Sequence, residues 1–91
     1  MKIIWTKHAE DRQKQWEKKL RITRQEVENV VSHPKQVVKG DMEILVAQAK
    51  IHNGLLRVPF IEVGENKKII TVYWTSKVER YWREEKSENK I

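Results

Sequence analysis

The chain has 91 residues, no cysteine and a formal charge of +6, which fits one domain near the lower end for a single core. The missing cysteines exclude disulfides and thiolate metal sites, and no apolar run approaches the ~20 residues of a membrane helix. The positive excess favours a polyanionic partner, nucleic acid or an acidic protein; with charged residues at 35% of the chain, a well-solvated surface is the plainer alternative.

The opening MKIIWTKHAEDR has too short an apolar stretch for a signal peptide, so the cytoplasm is the expected compartment. Lys2 to Trp5, with the β-branched Ile3 and Ile4 followed by Trp5, predict a first strand. Thr6 then fits a helix N-cap, whose hydroxyl accepts from free backbone N–H groups. Glu10 and Asp11 follow where the helix dipole favours acids. A helix is predicted to about Leu20, with Ala9, Trp16 and Leu20 on its buried face.

Thr23 and Glu26 form a capping box, and Ile22 with Val27 the matching hydrophobic staple. A second helix is predicted to about His33, buried through Val27, Val30 and Val31. Pro34 ends it, because it lacks the N–H and disfavours helix at His33.

From there the pattern is that of strands. Gln36 to Val38 is a short extended piece, and Lys39-Gly40-Asp41 a turn. Glu43 to Lys50 reads as a strand. His52-Asn53-Gly54 reads as a hairpin turn in which Asn-Gly supplies positive φ. Leu55 to Val63 is the next strand, with Pro59 pointing to an edge or a bulge. After a turn at 64–66, Lys68 to Trp74 gives the strongest strand signal. Thr75 or Ser76 then caps a last helix over Lys77 to Glu85. The order β-α-α-β-β-β-α predicts one α+β domain over 1–85, two N-terminal helices on an antiparallel sheet, and a frayed polar tail at 86–91.

Three segments, WTKHAEDR, ITRQEVENVVSHP and IITVYWTSKVERYW, resemble in order and spacing those of the RelE/ParE toxin superfamily, nearest to BrnT-like toxins and a related small-domain family. The resemblance implies a RelE-like fold. For the toxin members it implies metal-independent endoribonuclease activity on RNA, free or on the ribosome, held in check by a cognate antitoxin. The chain does not carry a full RelE catalytic set, and ParE relatives act on DNA gyrase instead. The implied function therefore rests on analogy of fold.

Metal-independent RNA cleavage uses the 2′-hydroxyl as nucleophile on its own phosphate. It needs a group to take that proton, fixed cations for the charge on phosphorus, and a proton for the leaving oxygen. No cofactor is implied. His8 is a candidate acid or base, and Arg12, one turn on, a candidate bidentate phosphate ligand. Alternatively, His8 caps or packs beside the first strand and Arg12 pairs with a sheet carboxylate.

Arg57 interrupts LLRVPF, so it faces solvent, a groove or a partner. Thr71 and Tyr73 alternate on one face of the last strand and Val72 and Trp74 on the other. Tyr73 is the candidate for base stacking or a phosphate hydrogen bond, against ordinary packing. Lys77, Arg80, Tyr81 and Arg83 set basic groups among aromatics, as a polynucleotide groove requires; an amphipathic helix packed through Val78, Tyr81 and Trp82 gives the same pattern. His33 reads as structural and His52 as an exposed turn residue, and three scattered histidines make no metal site.

The leading expectation is a toxin-like nuclease with Arg57 and Tyr73 facing His8 and Arg12. The alternatives are a non-catalytic RNA-binding module and a protein-interaction module of the same fold.

Overall fold

A computed structural model describes residues 1–84. The predicted tail at 86–91 and the predicted helix end at Glu85 lie outside the described residues.

The elements run β1 (Ile3–Trp5), α1 (Lys7–Leu20), α2 (Arg24–Ser32), β2 (Gln36–Lys39), β3 (Leu45–Ile51), β4 (Gly54–Val63), β5 (Asn66–Ile69), β6 (Tyr73–Thr75) and α3 (Val78–Tyr81). The class is α+β, as the sequence predicts, with two more strands. The sheet is six-stranded and ordered β1-β5-β4-β3-β2, and β6 also pairs with β4. It is mixed rather than antiparallel, because β1 runs parallel to β5. No helix among the described residues is long and apolar enough to cross a membrane.

Local chemistry explains both main helices. The Thr6 hydroxyl accepts from Ala9 N–H at 3.1 Å to start α1 and donates to Ile69 O at 2.9 Å, so the cap is also tied to the sheet. Arg21 closes α1 in the left-handed region. Buried Gln13 bridges the junction, donating to Glu17 Oε1 and Ile22 O, both at 2.9 Å. The capping box opens α2, with both of its hydrogen bonds formed. Ile22 and Val27 are fully buried, as a staple requires.

The helices cover one sheet face. Ala47 and Ala49 of β3 meet Val58 and Leu56 of β4 there, and they pack with Ala9, Ile22, Val27, Val30 and Val31. Burial of these apolar side chains at roughly 25 cal/mol per Å² is the main stabilising term.

The predicted strand Lys68–Trp74 is broken in two. β5 pairs with the far end of β4, Phe60 opposite Ile69, and β6 with its near part, Arg57 opposite Tyr73. Between those pairs β4 supplies residues 58 and 59, while the other chain supplies 70, 71 and 72. One extra residue defines a bulge. Pro59 sits in the middle of the sheet, not at its edge. Its carbonyl accepts from Ile70 N–H at 2.8 Å, and it has no N–H to return. The neighbouring chain leaves the ladder at that point.

The β3–β4 hairpin also differs from expectation. Its two positive-φ residues are His52 (53°) and Asn53 (61°), and Gly54 already belongs to β4. Glycine is needed at 54 for space: a Cβ there would lie 2.5 Å from Thr75 O and against the Trp74 ring.

Candidate functional site

Strand alternation places four polar side chains on the sheet face away from α1 and α2. Gln36 of β2 is opposite Gln48 of β3, Gln48 is opposite Arg57 of β4, and Arg57 is opposite Tyr73 of β6. They form one row across four strands.

Hydrogen bonds link the row. Gln48 Nε2 donates to Gln36 Oε1 at 2.6 Å, and Arg57 Nε donates to Gln48 Oε1 at 2.9 Å. Gln48 is fully buried, so its amide needs these partners.

The C-terminal segment crosses this face. The predicted last helix is a single turn, α3, which starts at Lys77 without a side-chain cap; Thr75 Oγ1 accepts from Lys77 N–H instead. The chain then becomes extended at Trp82. Gln36 binds the Arg83 backbone at both ends, accepting from its N–H at 2.8 Å and donating to its carbonyl at 2.7 Å. Gln48 donates to Tyr81 O at 3.1 Å. Lys50 Nζ lies 4.6 Å from the Trp82 ring centroid. Two glutamines thereby hold Tyr81 over the row.

Tyr81 and Tyr73 enclose Arg57. The guanidinium carbon is 4.2 Å from the Tyr81 ring centroid and 5.8 Å from that of Tyr73, and the two rings meet edge-to-face at 6.1 Å. Anchored at Nε and stacked on Tyr81, Arg57 is a fixed positive charge, half open to solvent.

The two phenols are displaced from the ordinary tyrosine value in opposite directions. Hydrogen bonding with Tyr73 holds the Tyr81 phenol below its ordinary value, and the charges of Arg80, Arg57 and Lys77 add to this against a countering effect of burial. Burial holds Tyr73 above its ordinary value, followed by the hydrogen bond and charge of Tyr81, with Arg57 opposing. A pair pushed apart in this way has the electrostatics of a base and an acid side by side.

The other predicted residues are placed as follows. Lys77, Arg80 and Arg83 are exposed around Tyr81. Thr71 is half-buried in the bulge rather than on a strand beside Tyr73. His8 is exposed and Arg12 half-buried on α1, behind the sheet. Trp16 of that helix packs on Trp74, which faces away from Tyr73, so His8 and Arg12 do not face Arg57 and Tyr73. The expected four-residue constellation is thus two separate places. His52 is exposed in its turn, as expected, and there binds Glu26 at 3.2 Å.

The sequence reading missed Gln36 and Gln48. A glutamine inside the apolar stretch LVAQAKI was the available signal, since a polar group in a central strand must be paired.

No family model matches the chain, and no curated protein or solved structure matches it.

Proposed function

We propose that this sheet face binds RNA and that the chain is a metal-independent endoribonuclease of the toxin type, neutralised by a cognate antitoxin protein. The observation that carries the reading is Arg57 anchored by Gln48 and enclosed by the rings of Tyr73 and Tyr81 on a surface that also carries Lys77 and Arg80. The opposite displacement of the two phenols agrees with it.

The chemistry follows from those groups. A scissile phosphate binds Arg57 through charge-assisted hydrogen bonds, with Lys77 and Arg80 adding to the positive field. Tyr81, the more acidic phenol, takes the 2′-hydroxyl proton as phenolate. The 2′-oxygen attacks phosphorus, Arg57 stabilises the added negative charge, and the bond to the 5′-oxygen breaks. Tyr73, the phenol that keeps its proton, gives it to the leaving oxygen. The products are a 2′,3′-cyclic phosphate and a free 5′-hydroxyl. Proton exchange between the tyrosines restores the starting state.

A second reading is an RNA-binding module without cleavage. The observation in its favour is that none of His8, His33 and His52 lies in the row or the segment crossing it, so no imidazole supplies acid–base chemistry there. Cleavage of labelled RNA in EDTA separates the two. The nuclease reading expects cleavage that is lost in Tyr81→Phe while binding persists. Binding without cleavage, on free RNA and in a translation extract alike, would establish the second reading.

A further inference from the structure

The exposed face of α1 carries a second feature that the sheet site does not use. A groove of about 410 Å³ is lined by Arg12, Gln15, Trp16, Lys18 and Lys19. These residues repeat at helical spacing, so they share one side of the helix. Three of the five are cations, and no carboxylate lines the groove.

The acids of α1 are engaged elsewhere. Glu10 pairs with Arg24, Asp11 with Lys7, and Glu17 accepts from Gln13. Among the described residues Arg12, Lys18 and Lys19 have no ion-pair partner. The Nε of Arg12 is buried without any hydrogen-bond partner, and it is the one side-chain atom in that condition among the described residues. An unsatisfied buried donor costs stability, and a methionine of similar length would not incur the cost.

Trp16 supplies an aromatic surface. Its Nε1 donates to Val72 O at 2.9 Å, which fixes the indole against the bulge beside β6. The ring is half-exposed, and Lys19 Nζ lies 5.8 Å from its centroid. A fixed indole flanked by a guanidinium and ammonium groups matches the stacking platform and cationic groove that single-stranded nucleic acid needs. An acidic peptide would need the cations but not the ring.

We propose that the Arg12–Trp16–Lys19 groove is a second nucleic-acid subsite, binding the backbone and stacking a base of single-stranded RNA outside the scissile step. It deepens the RNA reading of the sheet face and rests on it. Trp16 reaches β6 from the helix side, and Tyr73 of that short strand faces the other. One strand of several nucleotides passing the β6 edge meets both places.

The test uses the full chain, fluorescence anisotropy, and a 2′-O-methyl RNA of about twelve nucleotides, within the range of single-strand sites. Its blocked 2′-oxygen prevents cleavage. A dinucleotide serves as the short probe. The variant is Arg12→Met with Lys19→Gln, and Trp16→Phe is the second variant. The proposal expects the longer RNA to bind about tenfold more weakly to the double variant. The salt slope should fall by about 0.7 for each phosphate that is no longer neutralised. Dinucleotide binding should stay unchanged, and the melting temperature should be equal or higher. If the nuclease reading fails, this weakening is still measurable, because no cleavage is read. Unchanged binding of the longer RNA in both variants overturns the proposal. So does equal weakening for both probes, or displacement of the RNA by oligoglutamate at comparable concentration, which would mark an acidic-protein site.

Discussion

Arg57 and Tyr73 stand directly opposite one another on β4 and β6, and the guanidinium lies 5.8 Å from the Tyr73 ring. The bulge beside Pro59 sets this register: an unbroken ladder continued from Phe60 and Ile69 would place Val72 opposite Arg57 and Tyr73 opposite Leu56, on the helix side. A backbone irregularity thus places the phenol and the cation on the same side of the sheet.

Removing that cation has two expected consequences. Arg57→Ala should abolish RNA binding at the sheet and with it cleavage. It also leaves the buried Gln48 Oε1 without its donor, so stability should fall by about 1–3 kcal/mol. Arg57→Lys should restore little, since an ammonium cannot anchor through Nε and bind phosphate at once. Chemical denaturation and anisotropy measure the two effects separately.

The tyrosine pair gives a pH signature. The base Tyr81 must lose its proton, so the rate should rise with pH through a value below 10. The acid Tyr73 must keep its proton, so the rate should fall through a value above 10. The profile is a broad bell with its limbs on either side of the ordinary tyrosine value. Tyr73→Phe removes the largest influence lowering Tyr81, and absorbance titration of the phenolate should show the Tyr81 step moving up.

Gln48 ties three elements together, so Gln48→Ala should release the C-terminal segment. The variant removes one of the two donors to Gln36 Oε1 and leaves Tyr81 O and Arg57 Nε without their Gln48 partner. Limited trypsin digestion should cut faster after Arg80 and Arg83, and stability should fall by about 1–3 kcal/mol. Gln36→Ala should produce the faster cutting with a smaller stability loss, because its bonds to Arg83 are exposed.

Gly54→Ala should destabilise the chain even though the glycine is not in the left-handed region. The added methyl meets Thr75 O and the Trp74 ring, and forcing them apart costs about 1–3 kcal/mol or more. Asn53→Gly, at a true positive-φ position, should be close to neutral. Thermal denaturation of both variants separates steric space from backbone conformation as the reason for glycine in this hairpin.

The helices are legible in the sequence because their signals are local: a capping box, a staple and a proline stop all lie within a few residues of what they control. Pro59 is legible as a sign of an edge or a bulge, but the break it imposes on IITVYW is not, since it lies on another strand and acts across the ladder. The last helix reads too long because basic and aromatic residues suit a helix, whereas Trp82 and Arg83 are held extended by Gln36 from β2. Arg57 and Tyr73 are legible as candidates, and their pairing is contingent on register. Whether His8 and Arg12 join them depends on which face α1 covers, and sheet topology, which no single stretch of sequence encodes, puts them on the other side.

The most direct measurement is cleavage of labelled RNA in EDTA by the wild type, Arg57→Ala and Tyr81→Phe, on free RNA and in a translation extract. The account predicts fragments ending in 2′,3′-cyclic phosphate from the wild type and none from either variant, with Tyr81→Phe still binding RNA. Wild-type protein that neither binds nor cleaves RNA in either setting, or cleavage undiminished by Arg57→Ala, would contradict it.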